Sequence, residues 1–229
     1  EKVYLDSQII EPLDSQSKKT EVLLAALPRK TVDPYVAVLC QAGLLPTAME
    51  TESQATARAL IKGQKTERPI FIADIGATCT NFSVYFGQSL RFTSFIPFSS
   101  NKLTAAIAEV LKIESSKAKK LKILYGFQRT GSRAKRVFEA LLPVLTKFSS
   151  EIKKHIDYYQ THAKDEEVLG QGKEARKLLL CGGGANLRGL LKFLSQEIGL
   201  IVQKGNPLVN LPWEDKNTKK PSRQNLLSY

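Results

Sequence analysis

Two short stretches of the chain carry residue types that could do chemistry. The first is Asp74-Ile75-Gly76-Ala77-Thr78-Cys79-Thr80, which follows the apolar run Ile70-Phe71-Ile72-Ala73. A carboxylate at the end of a buried strand can hold hydrated Mg²⁺ beside phosphate groups. Gly76 lets the backbone approach an anion, successive N–H groups in such a turn form an anion-binding concavity, and Thr78 and Thr80 add hydroxyls. The second is Leu178-Leu179-Leu180-Cys181-Gly182-Gly183-Gly184-Ala185-Asn186, again an apolar strand that runs into a glycine turn. Three glycines offer bare backbone to a flat ligand, and a helix opening straight after them, near Leu187, would add positive potential. Taken singly, each stretch has an ordinary explanation: a solvated hairpin turn for the first, a tight strand-to-helix turn for the second. Neither has the spacing of a dinucleotide fingerprint or a Walker A loop. As a pair they are more specific, because two permissive turns at strand ends with a helical segment between them describe one split site.

The surrounding pattern supplies the elements that would position them. Val3 to Ile10 and Glu21 to Leu27 read as a hairpin around the polar turn Glu11–Lys19. Asp33-Pro34 is expected to open a helix to about Ala42, with Asp33 as N-cap, Pro34 at the first helical position and Gly43 at the C-cap. Leu44 to Met49 reads as a third strand and Thr51 to Ile61 as a helix. After the polar linker Gly63–Pro69, strands are predicted over Pro69–Ala73, Asn81–Gly87 and Leu90–Pro97, the last two joined by the turn Gly87-Gln88-Ser89. Helices follow: Leu103–Leu111, then one capped by Ser115 that runs to Tyr125, then a long amphipathic one over Val137–Tyr159 with a kink expected at Pro143. Asp165–Gln171 reads as a loop, Lys177–Leu180 and Ile201–Gln203 as strands, Leu187–Ile198 as a helix, and Asn206–Tyr229 as mostly loop.

Composition sets the outer limits. The chain has 229 residues, 42% of them apolar, which suits a globular core and excludes a disordered or collagenous chain. Its net charge is +12. Residues 1–70 are neutral, whereas residues 97–165 carry +8, so a basic helical segment could face an anionic partner or simply water. Basic residues from Lys117 to Arg136 lack the aromatic interleaving of a nucleic-acid module, so specific nucleic-acid binding is not expected. Cys40, Cys79 and Cys181 have no metal-ligand spacing and read as buried thiols of a reducing compartment. His155 and His162 read as surface residues, and Trp213 as a loop residue packed on the body.

With these residues in view, a family resemblance emerges. Asp74–Thr80 resembles the second phosphate loop of the superfamily that holds actin, heat-shock chaperones and sugar kinases. Leu180–Leu190 resembles that superfamily's adenosine motif. Within it the chain is most similar to the PilM family, the actin-like ATPases of type IV pilus assembly. Gly199-Leu200-Ile201-Val202 followed by Asn206-Pro207-Leu208 resembles the family's stretch after the adenosine motif. Lys122-Ile123-Leu124-Tyr125-Gly126 resembles the end of its purine-side helix, and Asn225–Tyr229 the start of its final helix. The likeness covers essentially the whole chain.

The resemblance implies an α/β, actin-like ATPase (ribonuclease H-like) fold, present in part. Residues 1–63 would be a subdomain 1C-like unit with a return toward subdomain 1A, most of which is expected to be missing. Residues 64–97 and 171–229 would be sheet subdomain 2A with the start of the return to 1A, and residues 98–170 the basic helical subdomain 2B. It implies ATP and Mg²⁺ as cofactors, bound weakly or not at all by this fragment, which is expected to be inactive although the family implies weak ATPase activity. Asp74 would approach the metal; Gly76, Ala77, Thr78 and Thr80 would line the phosphates; Gly182, Gly183, Gly184 and Asn186 would contact adenosine. Lys122 keeps its place on the purine-side helix, while Lys119 stands where the family carries an acid, which removes a hydroxyl acceptor. The implied partner is the N-terminal cytoplasmic peptide of the inner-membrane protein PilN, and the implied place is the cytoplasm, peripheral to the inner membrane. Other pilus assembly proteins, an anionic membrane surface and a homo-oligomer are further options. Two other readings share the plan: an FtsA-like division or polymer-forming protein, and a sugar-kinase-like enzyme.

Overall fold

The computed structural model describes residues 2–10, 20–165 and 175–211. The expected turn Glu11–Lys19, Trp213, the segment Asn225–Tyr229 and all but Asp165 of the loop Asp165–Gln171 lie outside the described residues.

The N-terminal unit is a two-stranded antiparallel ladder, β1 (Val3–Ile10) and β2 (Glu21–Pro28), in unbroken register from Val3↔Pro28 to Ile10↔Glu21. Helix α1 (Arg29–Gln41) follows β2 without a loop. It begins five residues before the expected start at Pro34, so Asp33 is not its N-cap and Pro34 lies in its second turn. Pro28 takes the N-cap position, and the Asp33 carboxylate instead accepts a hydrogen bond from the Tyr4 hydroxyl at 2.9 Å. There the proline removes one ladder bond and crowds the Lys30 carbonyl, and the helix continues past it to Gln41. The strand expected over Leu44–Met49 does not form; that stretch is irregular. Helix α2 (Glu52–Leu60) starts on a capping box in which Thr51 and Gln54 satisfy each other's backbone groups.

The centre is a five-stranded sheet made of β3 (Thr66–Ile75), β4 (Thr80–Gly87), β5 (Ser89–Ile96), β6 (Lys177–Cys181) and β7 (Ile201–Lys204). Its order is β5-β4-β3-β6-β7, with β4 antiparallel to both neighbours and β3, β6 and β7 parallel. Alternation along β3 splits the core into two layers. Phe71, Ala73 and Ile75 join Phe82, Val84, Leu178 and Leu180 on one face, while Ile72 joins Tyr85, Leu179 and Cys181 on the other. Helix α2 covers that second face with Ala57, Leu60 and Ile61, so it belongs energetically with the sheet rather than with the hairpin that precedes it.

The first face is covered by α3 (Ser100–Leu111), α5 (Ser132–Asp165) and α6 (Leu190–Ile198), with α4 (Ser115–Tyr125) packed against α3. Glu114, not Ser115, occupies the N-cap position of α4. Helix α5 is longer than its periodic stretch suggests. Ala134, Val137, Leu141, Leu145, Phe148, Ile152, Ile156 and Tyr159 form its buried stripe, at three- and four-residue spacing. Each aliphatic side chain removed from water along that stripe contributes about 1.5–3 kcal/mol, which holds the helix across Pro143. Cys181 is buried, but Cys40 is exposed and Cys79 half-buried, contrary to three buried thiols. His155 is half-buried: one ring nitrogen lies 2.9 Å from the Ser94 hydroxyl and the other 2.8 Å from the Glu151 carbonyl.

Candidate functional site

Strands β3 and β6 are parallel neighbours, and Asp74 is in register with Cys181. The chain leaves β3 toward β4 and β5 on one side, and β6 lies on the other. Between them the strand order reverses, which is where open α/β sheets bind ligands, beyond the carboxyl ends of the strands. The two stretches singled out in the sequence therefore meet at one edge.

The first loop is a four-residue turn, in which the Gly76 N–H donates to the Cys79 carbonyl at 2.8 Å. Two free N–H groups of the first turn of α3 hold it from behind: Ser100 donates to the Gly76 carbonyl at 3.0 Å and Asn101 to the Ala77 carbonyl at 3.1 Å. Ala77 and Thr78 are left exposed at the tip. Thr80 is placed differently from its neighbours. It is fully buried and its hydroxyl donates to the Phe98 carbonyl at 2.9 Å, so it ties β4 to the start of α3 instead of facing the loop's open side.

The glycine turn lies directly on the end of β3. A Cβ on Gly182 would stand 2.3 Å from Asp74 Oδ1 and 2.6 Å from the Ile75 carbonyl oxygen, and Gly182 has a φ of +75°. A Cβ on Gly184 would stand 2.2 Å from Ile75 Cγ2. These two glycines are thus demanded by contact between the turns themselves. Gly183 differs: it is exposed, and nothing lies within 4 Å of where its Cβ would be. No α-helix opens straight after the glycines. A single 3₁₀ turn, Gly183–Asn186, comes first, and α6 begins only at Leu190, so its dipole starts beyond the glycine turn. The Asn186 side-chain oxygen accepts from Lys204 Nζ at 2.7 Å.

The far side of the turn is joined to α4. The Phe127 N–H donates to the Arg188 carbonyl at 2.7 Å, and the Arg188 guanidinium donates to the Leu124 carbonyl at 2.9 Å. Lys122, on the same helix, is 8% exposed. Its ammonium donates to the Ser100 carbonyl at 2.8 Å, the Ser100 hydroxyl at 2.7 Å and the Thr104 hydroxyl at 2.8 Å. All three donors of Lys122 are therefore spent on α3. Burial, helped by the nearby Lys119 charge, lowers its pKa to about 8.

Asp74 is half-buried, and its pKa is raised, first by burial and then by the negative charge of Glu52. Glu52 lies in the first turn of α2, where it accepts a hydrogen bond from the Asn81 amide at 2.7 Å. The Cys181 thiol is held neutral by burial and donates to the Ala73 carbonyl at 3.8 Å. Two carboxylates and an amide thus gather where β3, β4 and α2 meet, and such a pair favours a divalent cation that would offset their repulsion. Sequence reasoning missed Glu52 and Asn81; the only signal was the Thr51-x-x-Gln54 box, which places Glu52 in a helix's first turn but not beside Asp74. Among the described residues there is no cluster of three or more His, Cys, Asp or Glu side chains that could hold a metal by themselves, and no helix is long and apolar enough to cross a membrane.

The family of type IV pilus assembly protein PilM matches the chain over residues 1–229. The chain belongs to the PilM family. The PilM-family chain also resembles cell division protein FtsA of Helicobacter pylori, at 24% identity over 125 residues, which is 53% of this chain and 25% of that protein. FtsA of Escherichia coli K12 is likewise 24% identical, over 67% of this chain and 41% of its own length. The chain thus spans less than half the length of these curated relatives. Among solved structures, a PilM-PilN type IV pilus biogenesis complex superimposes with a TM-score of 0.68 at 24% identity, over 90% of this chain and 57% of the other. MreB5 of Spiroplasma citri bound to AMPPNP gives 0.63 at 14% identity, over 80% and 62%. These likenesses establish the actin-like ATPase fold that the two glycine turns suggested.

Proposed function

We propose that this chain is the nucleotide-responsive part of a PilM-like adaptor, in which ATP with Mg²⁺ lies across the carboxyl ends of β3 and β6. The convergence of Asp74 with the glycine turn on neighbouring parallel strands carries this reading. Gly76, Ala77 and Thr78 would present backbone N–H groups and a hydroxyl to the phosphates. Gly183 would lie under the adenosine, with Gly182 and Gly184 keeping the turn flat and Asn186 oriented by Lys204. Asp74 would approach the metal, whose positive charge, when bound, neutralises the phosphates. Glu52, the other carboxylate at the site, would order a water there. Thr80 and Lys122 act in this reading as positioning residues, because their polar groups are spent on the start of α3.

The proposed partner is the N-terminal cytoplasmic peptide of PilN, and the proposed location is the cytoplasmic face of the inner membrane. A solved neighbour is a PilM-PilN complex. The N-terminal unit adds support of its own: Tyr4, Leu5 and Met49 are exposed and line a groove of about 440 Å³ between the hairpin, α1 and the start of α2. Exposed apolar surface of this kind marks an interaction site.

Fluorescent-nucleotide titration tests the site, and peptide anisotropy tests the partner. In the full-length parent, Asp74→Ala should weaken Mg-nucleotide binding at least tenfold, and a labelled PilN N-terminal peptide should bind saturably. Unchanged nucleotide affinity would mean the loop is misassigned. Absent peptide binding, with polymerisation retained, would favour the FtsA-like reading, which the curated relatives keep in play.

A further inference from the structure

The basic segment of the chain is concentrated around a pocket. The end of α3, the middle of α4 and the first turns of α5 enclose a cavity of about 520 Å³. Its floor is apolar, made by Leu111, Ile113 and Leu121, each half-buried against the core. Its rim is cationic: Lys117, Lys120, Arg133 and Arg136, all exposed. Glu114 lies 4.0 Å from Lys117. Lys120, Arg133 and Arg136 have no ion-pair partner among the described residues. Three unpaired cations around an apolar floor are complementary to a short segment with adjacent carboxylates and aliphatic side chains, and the concave shape suits a peptide better than a flat bilayer.

The chain itself contains such a segment. Asp165-Glu166-Glu167-Val168-Leu169 places three carboxylates beside two aliphatic residues, and it begins where α5 ends. It cannot reach the pocket of its own molecule. Arg136 and Asp165 are 29 residues apart on one helix, hence about 44 Å. Residues 166–169 span at most about 14 Å even when fully extended. We propose that residues 165–169 of one molecule dock into the Leu111–Arg136 pocket of a second copy. The pocket lies at the N-terminal end of α5 and the segment at its C-terminal end, so the contact is head-to-tail and builds chains or rings rather than a closed two-fold dimer.

A labelled peptide of residues 163–170, titrated with the 229-residue chain and read by anisotropy, tests the docking. Saturable binding is expected, at least tenfold weaker with the D165N/E166Q/E167Q peptide, at least tenfold weaker with the R133E/R136E protein, and weaker as salt rises. Failure of the peptide to bind, or equal binding by the R133E/R136E protein with its fold verified by circular dichroism, overturns the proposal. Sedimentation velocity then tests the assembly. The wild-type chain should form concentration-dependent higher species, and R133E/R136E or E166Q/E167Q alone should stay monomeric. An equal mixture of the two variants should stop at a 1:1 dimer, because each supplies the half the other lacks. Monomers in that mixture, or association of the wild type that neither variant diminishes, would overturn the head-to-tail contact.

Discussion

Strands β1 and β3 are both paired, both rich in apolar residues and similar in length, yet they end up in opposite environments. Along β1 only Ile10 is buried, and Leu5 and Ile9 are 69% and 73% exposed. Along β3 Phe71, Ile72, Ala73 and Ile75 are all at or near zero exposure. What separates them is coverage. Beyond β3's own ladder partners, helices pack on both faces of its sheet, and the turns of its neighbours close over its end, whereas among the described residues β1 has one ladder partner and no second sheet layer. The candidate nucleotide residues belong to the covered region, where backbone position is over-determined; the candidate partner groove belongs to the open one.

The sharpest way to break that contrast is to add one methyl group in each region. Gly182→Ala would force a Cβ to within 2.3 Å of Asp74 and 2.6 Å of the Ile75 backbone, at a φ of +75°. It should cost about 3 kcal/mol or more. Gly43→Ala, at a φ of +77° with nothing within 4 Å, should cost only the left-handed penalty of about 1–2 kcal/mol. Urea titrations with unchanged m values would measure both. Equal losses would mean that the glycine turn is not clamped on β3.

Amide exchange probes the same contrast without mutation. The β1–β2 ladder should open locally with protection about 2 kcal/mol or more below that of β3 and β6, since few buried contacts back it. Uniform protection across both ladders would show that the hairpin is held as firmly as the sheet.

How much of this was legible in the sequence follows the same division. Hydrophobic runs with punctuation gave away the sheet and α5, because burial there repeats at periods of two and three to four residues. Asp74 and the three glycines were legible because their types are costly elsewhere. The assignments that shifted depend on contacts made across long separations. Asp33 looked like an N-cap until Tyr4 reached it. Thr80 and Lys122 read as ligand contacts, yet their polar groups are spent on Phe98, Ser100 and Thr104. Glu52 was invisible as a site residue because nothing local says that α2 will lie against the strand carrying Asp74.

Lys122 offers an effect of intermediate size. Replacing it by Met removes three hydrogen bonds but also a buried charge; near neutral pH the two largely offset, and the loss of about 1–3 kcal/mol should emerge only toward pH 10.5. Its pKa is lowered to about 8 in the folded state. The unfolded chain therefore binds more protons between that value and the ordinary lysine range, and the Lys122 contribution to stability should rise with pH across that window and fall away as pH drops through about 8. Stability of wild type and Lys122→Met, compared from pH 7 to 10.5, should reveal this difference. Parallel pH profiles would show that the ammonium is not buried as a charge.

Asp74 should give the smallest change and the opposite sign. Burial and the Glu52 charge raise its folded pKa, so the stability it contributes is fully present below the unfolded carboxylate value and is lost as pH rises through the folded one. At neutral pH the folded protein therefore holds an unfavourable charge there. Asp74→Asn should leave the melting temperature unchanged or raise it slightly, and Glu52→Gln should bring the Asp74 pKa down, measurable by NMR titration of its carboxyl carbon. A residue placed for packing alone would lose stability on substitution. A clear drop in melting temperature for Asp74→Asn would therefore identify Asp74 as a strut of the β3 turn, and it would remove the electrostatic basis for placing a cation beside it.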